Sequence, residues 1–112
     1  MTVEIQVTWT PVCPVDRLQP DRGVAALLGD VQVAIVRTQD DLYAIGNIDP
    51  FSGAAVLSRG IVGDRGGVPT IASPVYKQAF DLRTGRCLDD DGVTVPTYPV
   101  RVTDGCVEIG LP

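Results

Sequence analysis

Residues 70 to 88 read TIASPVYKQAFDLRTGRCL, and three side chains near the Ser73-Pro74-Val75 turn have chemical potential. Ser73 is a hydroxyl nucleophile if a base activates it. Tyr76 and Lys77 are proton donors or acceptors if their surroundings tune them. Asp49, on an earlier loop, completes the set. The sequence supplies no partner for that chemistry. It contains no histidine at all, which removes the commonest general base and the commonest nitrogen ligand for a metal. Ser-His-Asp and Cys-His nucleophile systems are therefore excluded. An independent enzyme built on Asp49, Ser73, Tyr76 or Lys77 has nothing to activate Ser73.

Other chemistries fail on spacing. Cys13, Cys87 and Cys106 are odd in number and far apart, with no C-x-x-C. They fit neither a zinc site nor a disulfide framework, and buried reduced thiols are the expectation. Asp89, Asp90 and Asp91 lack the alternating ligands and closing Glu of a calcium loop, so a solvated acidic turn is expected. The stretch RGIVGDRGG (59 to 67) has no G-K-[ST] and opens no helix. It is expected to be a flexible loop. Arg59 and Arg65 on it, with Lys77 on the later loop, are candidates for contact with a partner. Lys77 is otherwise a solvated cation. A formal net charge of −5, with no basic cluster, argues against nucleic acid or an anionic membrane as partner.

The elements that must position these residues are strands. VEIQVTW (3 to 9) alternates apolar and polar residues, the pattern of a half-buried strand, with Trp9 in the core or at a sheet edge. A loop with one helical turn over 15 to 18 follows. VAALL and VQVAIVR flank Gly29-Asp30, a two-residue hairpin turn. TQDD turns the chain into LYAIGN. Residues 48 to 67 are loop-rich, with one or two helical turns within 53 to 60. VPTIAS and QAFDL are short strands. YPVRVT and CVEIG flank Asp104-Gly105 in a last hairpin. Many short strands spaced by glycine and proline turns predict an all-β sandwich or small barrel. The 112 residues fit a single domain, and 45% apolar with 21% charged residues is the composition of an ordinary globule. The start, MTVEIQVTWT, has no basic region before an apolar run, and no stretch reaches membrane-spanning length, so a cytoplasmic protein is expected.

Two loops now stand in the same relation to the strands. AIGNIDPFSGAAVLSRG (44 to 60) and TIASPVYKQAFDLRTGRCL (70 to 88) each follow a strand, turn at a proline and lead back into sheet. This arrangement resembles the Rieske iron–sulfur family, in which a C-x-H loop and a C-x-x-H loop each give one Cys and one His to a [2Fe–2S] cluster. The resemblance implies a Rieske-like antiparallel β-sandwich of two or three small sheets, with two loops at one tip. Anchored on Pro50, the first loop places Asp49 and Phe51 at the Cys and His positions. Anchored on Pro74 and FDL, the second places Ser73 and Tyr76 there. All four ligands are replaced, so no cofactor is expected on this chain.

A Rieske-like domain emptied in this way is similar to the small subunits of assimilatory NAD(P)H-dependent nitrite reductases. NIDPFSGAAVLSRG, SPVYKQAFDLRTG and CLDDDGVTVPTYPVRV carry that similarity over most of the chain. It implies a non-catalytic subunit that supports a large subunit, which carries FAD, an iron–sulfur cluster and siroheme and reduces nitrite to ammonium. The alternative is a cluster-less adaptor for another oxidoreductase. A true Rieske electron carrier is excluded by the missing histidines. For the vacated site, the preferred expectation is that Phe51, Val75 and Tyr76 fill the space and tie the loops together. The competing one is that they are exposed and dock on the large subunit.

Overall fold

The computed structural model describes residues 7–112 and is built from three antiparallel sheets. Strands β2 (Arg22–Leu28), β3 (Val31–Arg37), β4 (Leu42–Gly46) and β8 (Thr97–Tyr98) form the central sheet in that order. Strands β1 (Thr8–Pro14), β10 (Cys106–Leu111) and β9 (Val100–Thr103) form a second. Strands β5 (Ile61–Arg65), β6 (Val68–Ala72) and β7 (Ala79–Asp81) form the third. Two single helical turns of the 3-10 type lie at Val15–Arg17 and Leu57–Arg59.

The run VAIV in β3 explains the layering. Side chains alternate across a strand, so a strand buried on both faces reads as continuous apolar sequence. Val33 and Ile35 pack with Ala44, Leu18, Val107 and Ile109 on one side. Ala34 and Val36 pack with Ile45, Leu57, Ile71, Phe80, Leu82, Cys87 and Val95 on the other. The central sheet is thus sandwiched between its two neighbours, and the core on the Phe80 side lies beneath both loops.

The hairpins at Gly29-Asp30 and Asp104-Gly105 form where turn chemistry places them, with positive φ at Gly29, Asp104 and Gly105. The helical turns fall within the expected stretches. Three expectations need correction. Of the strand expected over 3 to 9, residues 3 to 6 lie outside the described residues, and β1 runs on to Pro14. Its prolines are tolerated because β1 is a sheet edge, and its pairing shifts between Pro11 and Cys13. The glycine-rich stretch 59 to 67 is not a flexible loop: Ile61–Arg65 pairs residue by residue with Val68–Ala72 around Gly66-Gly67. The cysteines are free, but only Cys87 is buried; Cys13 and Cys106 are half-buried. The strand expected over YPVRVT divides at Pro99: Tyr98 pairs with Ala44 in β8, and Val100–Thr103 forms β9. Trp9 is half-buried at the edge, with the Arg101 guanidinium 4.2 Å above its ring.

Candidate functional site

The first loop leaves β4 at Asn47, a buried side chain that the sequence reading did not single out. Its Oδ1 accepts from the Ser58 amide at 2.7 Å, and its Nδ2 donates to the Ala55 carbonyl at 3.3 Å. The Leu57 amide donates to the Asn47 carbonyl at 3.0 Å. One amide side chain therefore closes the base of the loop. Its signal was present in the motif AIGN, since an Asn at a strand exit satisfies loop backbone groups well.

Asp49 is fully buried two residues further on. The Phe51 amide donates to Oδ1 at 2.9 Å, an Asx turn that fixes the path around Pro50. The Ser52 hydroxyl donates to Oδ2 at 3.1 Å. The Ser73 hydroxyl, from the second loop, donates to the same oxygen at 2.6 Å. Burial pushes the Asp49 carboxyl up. The hydrogen bonds from Ser73, the Phe51 amide and Ser52 outweigh it and hold the group below the ordinary carboxylate range.

The second loop closes on Ser73, itself 1% exposed. Its amide donates to the Gln78 carbonyl at 3.0 Å, and its carbonyl accepts from the Lys77 amide at 3.0 Å. Its hydroxyl oxygen also accepts from the Val75 amide at 3.2 Å. The buried Ser73–Asp49 bond is thus the centre of both loops and the link between them. It joins the two positions that the sequence resemblance assigns to the Rieske cysteines.

The other two positions behave differently. Phe51 is half-buried and turns inward, its ring 6.3 Å from that of Phe80. Tyr76 is 60% exposed and Val75 is 45% exposed. The expectation that Phe51, Val75 and Tyr76 fill the site is therefore corrected: Phe51 packs, whereas the turn geometry of residues 73–78 aims its neighbours outward. Truncating Phe51 removes half-buried aromatic contact, so Phe51→Ala is expected to cost about 1.5 kcal/mol, or about 6 °C in melting temperature. A thermal melt checks this, and an unchanged Tm would mean that the ring does not join the loop to the core.

These residues do not fit a [2Fe–2S] cluster. Asp49 and Ser73 offer hard oxygens already engaged with each other, Phe51 offers no donor, and no histidine exists in the chain. Among the described residues, no group of three or more His, Cys, Asp or Glu side chains is placed to hold a metal. Cys87 lies in the core. Burial, then the nearby Cys106, pushes the Cys13 thiol above its ordinary value, away from a reactive thiolate. Ser73 is buried and its proton is directed at Asp49, so the pair cannot meet a substrate without opening the loops. Lys77 stands exposed beyond it.

Of the three cations expected to meet a partner, Arg59 and Lys77 are exposed and form no ion pair among the described residues. Arg65 is already engaged, with its guanidinium 2.8 Å from Asp89. Asp89 also accepts from the Ala79 amide at 2.8 Å, so it is a structural bridge rather than a solvated turn residue. Asp91, paired with Arg86 at 3.2 Å, remains solvent-exposed.

Comparison with known proteins gives a consistent result. Residues 8–110 match the family described as Rieske-like [2Fe-2S] domain. The nitrite reductase (NADH) small subunit of Escherichia coli K12 is 46% identical over 103 residues, covering 90% of this chain and 95% of that protein. The nitrite reductase [NAD(P)H] large subunit of Klebsiella oxytoca contains a segment 43% identical over 102 residues, covering 91% of this chain but 11% of that protein. A crystal structure from Mycobacterium tuberculosis, assigned as an NADH-dependent nitrite reductase small subunit, superimposes with a TM-score of 0.91 at 54% identity. It covers 95% of this chain and 96% of that one.

Proposed function

We infer the function from one premise: this chain belongs to the Rieske-like [2Fe-2S] domain family and, within it, to the nitrite reductase small subunits. It acts as the small subunit of an NAD(P)H nitrite reductase, in complex with the large subunit. The observation that carries this reading is identity of 46% along nearly the whole length of both chains, not a stray domain match. The Klebsiella large subunit supports the partnership, because there a domain of this kind is part of the same polypeptide.

The finer reading is our own. The chain is non-catalytic, carries no cofactor and works in the cytoplasm. Nitrite reduction to ammonium takes place on a large subunit bearing FAD, an iron–sulfur cluster and siroheme. Support comes from the site itself, where a buried Asp49–Ser73 hydrogen bond stands at the vacated cysteine positions and leaves no set of soft donors. None of the described helices is long and apolar enough to cross a membrane. A tagged form of the chain, recovered gently from nitrite-grown cells, is expected to bring down one large partner whose absorption spectrum shows flavin and siroheme bands. A partner with other chromophores would instead make the chain an adaptor for a different oxidoreductase. Iron and labile sulfide in the small subunit after separation would overturn the cofactor-free reading.

A further inference from the structure

Seven large hydrophobic side chains are exposed among the described residues, and they are not scattered. Ile48, Val75 and Tyr76, at 48%, 45% and 60% exposure, lie on the two loops. Ile61, 76% exposed, pairs with Ala72, the residue before Ser73. Leu27, 69% exposed, pairs with Gln32, whose carbonyl accepts the Asn47 amide at 3.0 Å. Four of the seven therefore sit at the loop end of the molecule; Ile61 lies to its side, against Arg22 and Gly23, and the remaining two are Val24 and Val102. Isolated apolar side chains on a surface need no explanation, but a concentration at one end marks an interaction site.

The backbone carries a second sign. Lys77 sits at φ 66, one of three non-glycine residues in the left-handed region. Glycine occupies that region without penalty, whereas a long side chain there costs about 1 kcal/mol. The other two, Asp21 and Asp104, are of the residue type that tolerates this conformation, since a short polar side chain bonds its own backbone. Lys77 has no such side chain, and the bond of its amide to the Ser73 carbonyl holds the turn. It is also the chain's lone lysine, exposed beside Tyr76 and without an ion-pair partner among the described residues. Arg59, two residues before Ile61, is likewise unpaired among the described residues. A protein of net charge −5 thus presents an apolar end that carries a cation, Lys77, unpaired among the described residues.

We propose that this loop end, centred on Tyr76 and flanked by Ile48, Val75 and Lys77, is the surface that docks on the nitrite reductase large subunit. Its apolar side chains enter a cleft on that subunit, and Lys77 meets a carboxylate at its rim. This rests on the functional reading above. The occupant follows from the Klebsiella protein, in which the related segment makes up 11% of a large subunit and so works tethered to the rest of that chain. The buried Asp49–Ser73 bond acquires a purpose here, since it holds both loops rigid before docking and lowers the ordering cost of binding.

The test is titration of the purified holo large subunit with this chain by calorimetry. Tyr76→Ala is expected to raise Kd by a factor on the order of 10 to 100, as for a central aromatic anchor, with an unchanged melt. Lys77→Gly is expected to raise Kd several-fold and to weaken its salt dependence, while Tm holds or rises because the strain is relieved. Val102→Ala, an exposed control on β9, is expected to leave Kd unchanged. Wild-type binding with no effect of Tyr76→Ala or Lys77→Gly would overturn the docking surface and leave the functional reading standing. Equal weakening by Val102→Ala would overturn it too. Loss of a homodimer in the Tyr76→Ala protein, with large-subunit affinity intact, would assign the surface to a second copy instead. Failure of the wild-type chain to bind the holo large subunit at all would overturn the functional reading itself.

Discussion

Asp49→Ala is expected to destabilise the fold by about 3 to 4 kcal/mol and lower Tm by about 12 to 16 °C. The carboxylate accepts three hydrogen bonds within a fully buried site. Alanine leaves the Phe51 amide and the Ser52 and Ser73 hydroxyls without their acceptor, at the full desolvation cost of an unpaired buried group for Ser73 and a smaller one for the half-buried other two. It also cuts the bond between the two loops, so amide exchange should accelerate in residues 47–57 and 73–78 before it does in β3. Asp49→Asn separates charge from shape. Its oxygen faces the Phe51 amide, and its NH2 donates to the two hydroxyl oxygens, whose own protons lose the carboxylate. The expected cost falls to about 2 kcal/mol, since the shape and the Phe51 bond are kept while the buried Ser73 proton is left unpaired.

The same pair of variants predicts the acid limb of stability. The net pKa of Asp49 is lowered on folding: burial raises it and the hydrogen bonds led by Ser73 lower it further. A carboxyl with a depressed folded pKa stabilises the native state above its unfolded pKa, near 4. That contribution disappears as pH falls through the folded value, because the unfolded chain binds the proton first. Asp89 acts in the same direction, held low by Arg65 and the Ala79 amide. So does Asp81, where burial opposes and the Arg83 hydrogen bonds prevail. Wild-type Tm is thus expected to drop steeply below about pH 4, and Asp49→Asn to drop less steeply. Parallel acid limbs for the two proteins would mean that Asp49 titrates normally in the fold.

Legibility in the sequence followed the range of the interaction. Hairpins announced by Gly29-Asp30 and Asp104-Gly105 were readable because turn chemistry is local. Asp49 and Ser73 were readable as positions, from the prolines beside them. Their mutual hydrogen bond was not, because it joins residues 24 apart and depends on how two loops pack. Val75 and Tyr76 were misplaced for a related reason. Their composition says core, while the Ser73–Gln78 closure decides that they point outward. Strand β5 was hidden by Gly63 and by the Gly66-Gly67 turn, which read together as a loop; only pairing with β6 makes Ile61–Arg65 a strand. The left-handed backbone at Lys77 has no sequence signature, since nothing in a lysine announces positive φ.

Gly85→Ala is expected to be the costlier change, at about 4 kcal/mol or more, or at least about 16 °C in Tm. Gly85 ends the DLRTG segment at φ +77, its amide bonded to the Asp81 carbonyl at 2.7 Å. An added Cβ would fall well inside contact distance of the Val95 carbonyl oxygen, a backbone atom that cannot rotate away. Relief requires Val95 to move. Its amide donates to the Gly85 carbonyl at 2.8 Å, and its side chain belongs to the Phe80 core. Residues 96 and 97 move with it, and Thr97 is half of the short pairing that attaches β8 to β4. Strain and collision can be told apart with Gly66→Ala, where φ is +63 but nothing lies within 4 Å. That variant should cost only about 1 kcal/mol, so thermal melts of the two proteins measure the collision by difference. Equal Tm losses would show that backbone strain alone accounts for both. Well below its Tm, Gly85→Ala is expected to bind the large subunit normally, because the exposed loop end is untouched. A glycine that is part of the DLRTG likeness to Rieske domains would then serve the fold, and Tyr76, at a position with no ligand left to supply, would serve the partnership.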